Sequence, residues 1–60
     1  MYDRLPEDPI ILLSFINTQL RDHYASFEAF ADAYAIDAAE TAAKLAAISY
    51  EYDPAANRFI

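Results

Sequence analysis

The stretch over residues 26–48, SFEAFADAYAIDAAETAAKLAAI, limits what this chain can fold into more than any other. It reads as a helix, a tight turn over 34–37, and a second helix. Two helices joined so closely are the mark of helix-turn-helix units, which cross steeply over a short turn. Ser26 suits the N-cap of helix 2, expected over 27–34, and Asp37 suits the N-cap of helix 3, expected over 38–47. Glu40, three residues beyond Asp37, completes a capping-box pattern. Phe27, Phe30 and Tyr34 recur at helical spacing and are expected in the core. Thr41, Leu45 and Ile48 should join them, with Ala38 and Ala42 letting the helices approach closely.

Upstream, Asp8 offers a capping carboxylate, and Pro9 fits a first helical position, where its missing N–H is no loss. Helix 1 is expected over 9–24. At 100° per residue, Ile10, Leu13, Ile16, Leu20 and Tyr24 form one stripe that should face the core. Ile11, Leu12 and Phe15 lie well off it, so the first half of the helix is apolar nearly all round. Asn17 sits beside the stripe and needs partners there, at a helix end or on the C-terminal hairpin. The lead over 1–7 is expected to be extended and packed by Tyr2 or Leu5.

After Ile48 the period changes from helical to alternating, with Ile48, Tyr50 and Tyr52 on one side and Ser49, Glu51 and Asp53 on the other. DPAAN over 53–57 has turn chemistry: Pro54 sets a type I start and Asn57 tolerates the left-handed region. A hairpin over 49–60 follows, with Phe59 near Tyr50 or Tyr52. The expected fold is mainly α, a three-helix helix-turn-helix-like core closed by a C-terminal β-hairpin. That is the element order of a winged helix, in one domain over 1–60.

Length then matters. Sixty residues bury a core that rarely supplies more than ~3–5 kcal/mol, so such domains usually need a staple. There is no cysteine and one histidine, which excludes a disulfide framework and a thiolate metal site. Oligomerisation is the staple that remains. Glycine is also absent. No Gly-rich phosphate loop can form, and positive-φ positions are expected at residues such as Asn57 or aspartate.

The net charge of −6 argues against the DNA binding that the element order suggests. Helix 3 should carry Arg, Lys, Asn or Gln to read bases and grip phosphates, yet it offers Asp37, Glu40, Lys44 and alanines. Lys44, Arg58 and Arg21 are too few for a footprint of ~6–10 phosphates. Catalysis has no better support. His23 is the only imidazole and sits where a helix dipole favours a solvated histidine. Ser14, Ser26 and Ser49 have helix, cap and strand explanations. Paired carboxylates such as Glu7/Asp8 and Glu51/Asp53 lack a pocket, while Glu28 and Asp32 share one exposed face. Neither an enzyme nor any cofactor, metal or small-molecule substrate is indicated. No apolar run is long enough to span a membrane, and a cytoplasmic protein is expected.

What remains is an interaction module. Ile11, Leu12 and Phe15 form the candidate interface on helix 1, unless the lead and the hairpin cover them. Tyr50 and Tyr52 on the hairpin are a second candidate, with packing of both rings on helix 1 or helix 3 as the alternative. Self-association, a dimer first, or another protein partner is the expected use; a winged-helix nucleic-acid binder is the alternative. The runs DPIILLSFINTQLRDHYASFEAF and KLAAISYEYDPAANRFI also resemble a family of roughly sixty-residue bacterial proteins catalogued as a domain of unknown function (family 4250). LLSFINTQLRD and the YEYD…NRF ending are the most specific parts of that likeness. The alanine-rich 29–47 region is less typical, since more charged residues are expected there. The resemblance implies a small stand-alone bacterial protein and brings no activity, cofactor or catalytic residue.

Overall fold

A computed structural model of the chain describes residues 5–60; Tyr2, one of the two expected packing residues of the lead, lies outside them. Three helices are followed by a two-stranded antiparallel hairpin, in the order α1 (Pro9–Asp22), α2 (Phe27–Tyr34), α3 (Ala38–Ala46), β1 (Tyr52–Asp53) and β2 (Arg58–Phe59). The helix starts follow the caps. Asp8 accepts from the Ile10 N–H at 3.4 Å, Ser26 from Ala29 at 3.1 Å, and Asp37 from Glu40 at 3.1 Å. Only the Asp37 half of the capping box forms among the described residues. Helix 1 stops at Asp22, with His23 as its C-cap, two residues short of expectation.

Both α2 and α3 end in Schellman motifs built without glycine. At α2, Ile36 N–H returns to Ala31 C=O and Ala35 N–H to Asp32 C=O; at α3, Tyr50 returns to Leu45 and Ser49 to Ala46. The motif needs a left-handed residue, which is Ala35 (φ 55°) in one case and Ser49 (φ 71°) in the other. Asn57 (φ 54°) is the third. Among the described residues, the expectation that Asn or Asp would fill such sites therefore holds at one position of three. In a chain with no glycine, the caps fell to whichever residue followed the last turn.

The core stripe of α1 keeps Ile16 and Leu20 but is rotated by about 60°, a sixth of a turn, from the expected one. Leu12, Ile16 and Leu20 are its buried members, Leu12 at 1% exposure, whereas Ile10 is 59% exposed. Leu13 and Tyr24 pack at its margin, as does Leu5 of the lead. Phe27, Phe30, Leu45 and Phe59 complete the centre. Ala38 and Ala42 are half-buried against it, and Thr41 is buried beside them.

Among the described residues, seven Phe and Tyr rings form one continuous network, Phe15, Tyr24, Phe27, Phe30, Tyr34, Tyr52 and Phe59, with the His23 ring against Tyr24 at its edge. Phe30 lies at its middle, 4.6 Å from Tyr34, 5.7 Å from Tyr24, 6.2 Å from Phe27 and 6.4 Å from Phe15. Phe59 meets Phe27 edge-on at 4.9 Å. Each such pair adds ~0.5–1.5 kcal/mol beyond the area it buries. This network stiffens the core of a chain that has no cysteine for a disulfide.

The regular hairpin is shorter than expected, with Tyr52 opposite Phe59 and Asp53 opposite Arg58. Glu51 and Ile60 extend it by exchanging both backbone bonds at 2.9 Å. The left-handed turn at Ser49 interrupts the alternation predicted from Ile48 onward. Asp53 accepts from Ala55 N–H at 3.0 Å, forming the Asx-type bond that starts the reversal at Pro54.

Candidate interaction surface

The hairpin is held to α1 by two asparagines. Because Glu51 and Ile60 form a hydrogen-bonded pair, the N–H and C=O of Phe59 point away from β1. Asn17 meets both: its Oδ1 accepts from Phe59 N–H at 2.8 Å, and its Nδ2 donates to Phe59 C=O at 3.1 Å. The side-chain amide thus replaces a third strand and closes that edge. Asn57 does the converse from the hairpin. Its Nδ2 donates to Leu20 C=O at 3.1 Å and Tyr24 C=O at 3.0 Å, satisfying carbonyls at the end of α1. Its Oδ1 accepts from the Tyr52 hydroxyl at 2.7 Å, and the Tyr52 hydroxyl oxygen in turn accepts from Phe27 N–H, the first amide of α2, at 3.3 Å.

These bonds decide the two tyrosines. Tyr52 is structural: its ring packs on Phe27 and Phe59 and its hydroxyl joins three elements. Tyr50 is 36% exposed and lines an open groove between α1 and the hairpin, with Ile10, Leu13, Thr18, Arg21 and Arg58. Among the described residues, no carboxylate lines this groove.

The expected patch of Ile11, Leu12 and Phe15 is not assembled. Leu12 is buried, and Phe15 turns toward α2, edge-on to Tyr34 at 5.9 Å. Ile11 alone faces solvent, at 57% exposure. The error is one of phase, since a helix apolar nearly all round gives no angular preference for which face turns inward. A different surface results, in which Ile10, Ile11, Ser14 and Thr18 are all exposed on the outer side of α1. From Pro9 to Leu20 the helix carries no charged residue, although the chain's net charge is −6.

The cations of the described residues do not share one face. Arg21 and Arg58 line the α1–hairpin groove, whereas Lys44 borders a second one with Leu5, Glu7, Asp37 and Glu40. Arg21 is paired with its neighbour Asp22, through Nε at 2.9 Å and Nη2 at 3.0 Å. That hydrogen bond, with the charge attraction, raises the Arg21 pKa and lowers that of Asp22. On α3 the exposed polar side chains are Glu40 and Lys44, among alanines.

His23 is exposed at the end of α1. Among the described residues, no three His, Asp or Glu side chains come together as metal ligands. None of the described helices is long and apolar enough to cross a membrane. Sequence reasoning gave Asn17 its correct partner type but saw in Asn57 only a turn residue. The signal was an amide at the turn, whose N–H donors can satisfy the carbonyls that a helix end leaves open.

The fold and this surface define a class: a small, mainly α-helical domain closed by a C-terminal hairpin, with an uncharged helix face outward. The chain belongs to the family described as domain of unknown function (DUF4250), whose profile matches residues 6–59. No curated protein and no solved structure matches it.

Proposed function

We propose that the protein is a non-enzymatic, cytoplasmic interaction module that self-associates through the outer face of α1. One observation carries this reading. Two isoleucines more than half exposed, Ile10 and Ile11, lie on a helix uncharged over three turns, in a strongly acidic chain. Surface of that kind is costly in a monomer and typical of the central part of an interface, where charged residues are depleted. The acidic remainder discourages non-specific contacts and leaves this face as the place where two like-charged copies approach with least repulsion.

Sedimentation equilibrium over a concentration series tests it. A dimer persisting at low micromolar concentration is the expected result. Ile11→Asp should return it to monomer with an unchanged helical circular dichroism spectrum, because Ile11 contributes nothing to the core. A monomer at high concentration would overturn the proposal.

The winged-helix alternative draws on Arg21 and Arg58 sharing one groove. Two arginines, one already paired, leave a duplex footprint several phosphates short. That alternative predicts a steeply salt-dependent shift of duplex DNA, weakened by Arg58→Ala.

A further inference from the structure

We infer that the two α1 helices pair antiparallel across a two-fold axis at Ser14; the inference rests on the self-association proposed above. Ser14 is central on the uncharged face, with Ile10 one turn before it and Thr18 one turn after. Both lie four residues away, about 40° to either side of Ser14 around the helix. The pattern is therefore large, small, small along the exposed face.

An antiparallel pair about Ser14 lays Ile10 of each copy over Thr18 of the other, so a bulky side chain meets a small one at both contacts. A parallel pair sets isoleucine against isoleucine and leaves the threonine level underfilled. Serine at the crossing lets the axes approach to the ~8 Å at which helices interdigitate. The arrangement is isologous, as a closed dimer requires.

Charge selects the same direction. Glu7 and Asp8 precede the helix, and Arg21 stands at its far end. Antiparallel pairing brings each Arg21 toward the acidic start of the other copy, whereas parallel pairing sets acid beside acid. Asp22 occupies Nε and Nη2 of Arg21. Among the described residues its Nη1 has no partner and remains available. The helix dipoles also oppose one another favourably in this direction.

The chain has no cysteine, so single cysteines read the geometry directly. A disulfide needs Cα atoms within ~7 Å. About Ser14, position 14 meets itself, while positions 10 and 18 are each ~12 Å along the axis from their own copies, by helical rise. Under mild oxidation, Ser14→Cys should give a disulfide dimer on the order of tenfold faster than Ile10→Cys or Thr18→Cys alone, given that distance limit. An equal mixture of those two variants should give mainly the mixed disulfide. Ile10→Cys and Thr18→Cys each linking to itself as fast as Ser14→Cys would overturn the antiparallel pairing. So would a dimer in sedimentation whose Ser14→Cys form does not cross-link, although self-association would then stand. A monomer throughout would remove both.

Discussion

The hairpin and the α2–α3 pair are attached to α1 by different physics. α2 and α3 meet it through rings and small side chains: Phe30 and Tyr34 on Phe15, and Ala38, Ala42 and Leu45 in the core. Burial of that kind is large and tolerant of small shifts, because it depends on area rather than direction. The hairpin brings one buried apolar anchor, Phe59, with Tyr52 beside it, and relies on the amides of Asn17 and Asn57 for its position. Hydrogen bonds are directional and expensive to leave unmade, so they fix register where a two-residue strand pair cannot. In a domain this small, burial holds the pieces together and a few amides decide how they align.

The largest effect that would sharpen this contrast is at Phe30. Phe30→Ala removes the centre of the ring network and should lose ~3–5 kcal/mol, about the whole stability of a domain this size. Circular dichroism is expected to show an unfolded or barely cooperative chain at 25 °C. A cooperative transition at an unchanged denaturant midpoint would mean that the rings are not the main support.

Asn17→Ala comes next. It leaves the Phe59 N–H and C=O without their partner, at ~1–3 kcal/mol. Amide exchange should rise first at Phe59 and Ile60 while the amides of α2 keep their protection. Uniform loss of protection over both regions would mean that the asparagine amides support the whole fold and not the hairpin alone.

Ala35→Gly acts in the opposite direction and more weakly. Removing the β-carbon at φ 55° relieves left-handed strain, partly offset by the freer unfolded chain, for a net gain of ~0.5–1 kcal/mol. A higher denaturation midpoint checks it. Ala33→Gly, inside α2, should instead lower the midpoint.

The smallest effect is at Arg21 and Asp22. The Arg21 hydrogen bond holds the Asp22 carboxyl below its ordinary 3.8, so the folded state binds that proton less readily than the unfolded one. The contribution is fully present above pH 3.8 and fades as pH falls through the lowered folded value. Both side chains are exposed, so salt screens the pair. An NMR titration of Asp22 should show the depressed midpoint, while Asp22→Asn leaves the thermal midpoint at pH 7 unchanged.

Local signals carried far in this chain. Asp8, Ser26 and Asp37 marked three helix starts because a cap acts within three residues of itself. The switch to alternation after Ile48 and the Pro54–Asn57 turn located the hairpin. Asn17 was legible as an amide needing backbone partners. The candidate surface was less so. Ile10 and Leu12 exchange roles in the structure, and Phe15 turns toward Tyr34, because an apolar run over all sides of a helix contains no phase information.

Sequence by itself determined the element types, their order and the helix starts, since each rests on chemistry between near neighbours. Only the tertiary structure decided which side of α1 faces inward, how the hairpin is registered, and that Tyr52 is a joint while Tyr50 is surface. Those choices depend on where Phe30, Phe59 and the two asparagine amides meet across the fold. Asn17 reaches Phe59 over a separation of 42 residues, a distance at which spacing along the chain carries no orientation.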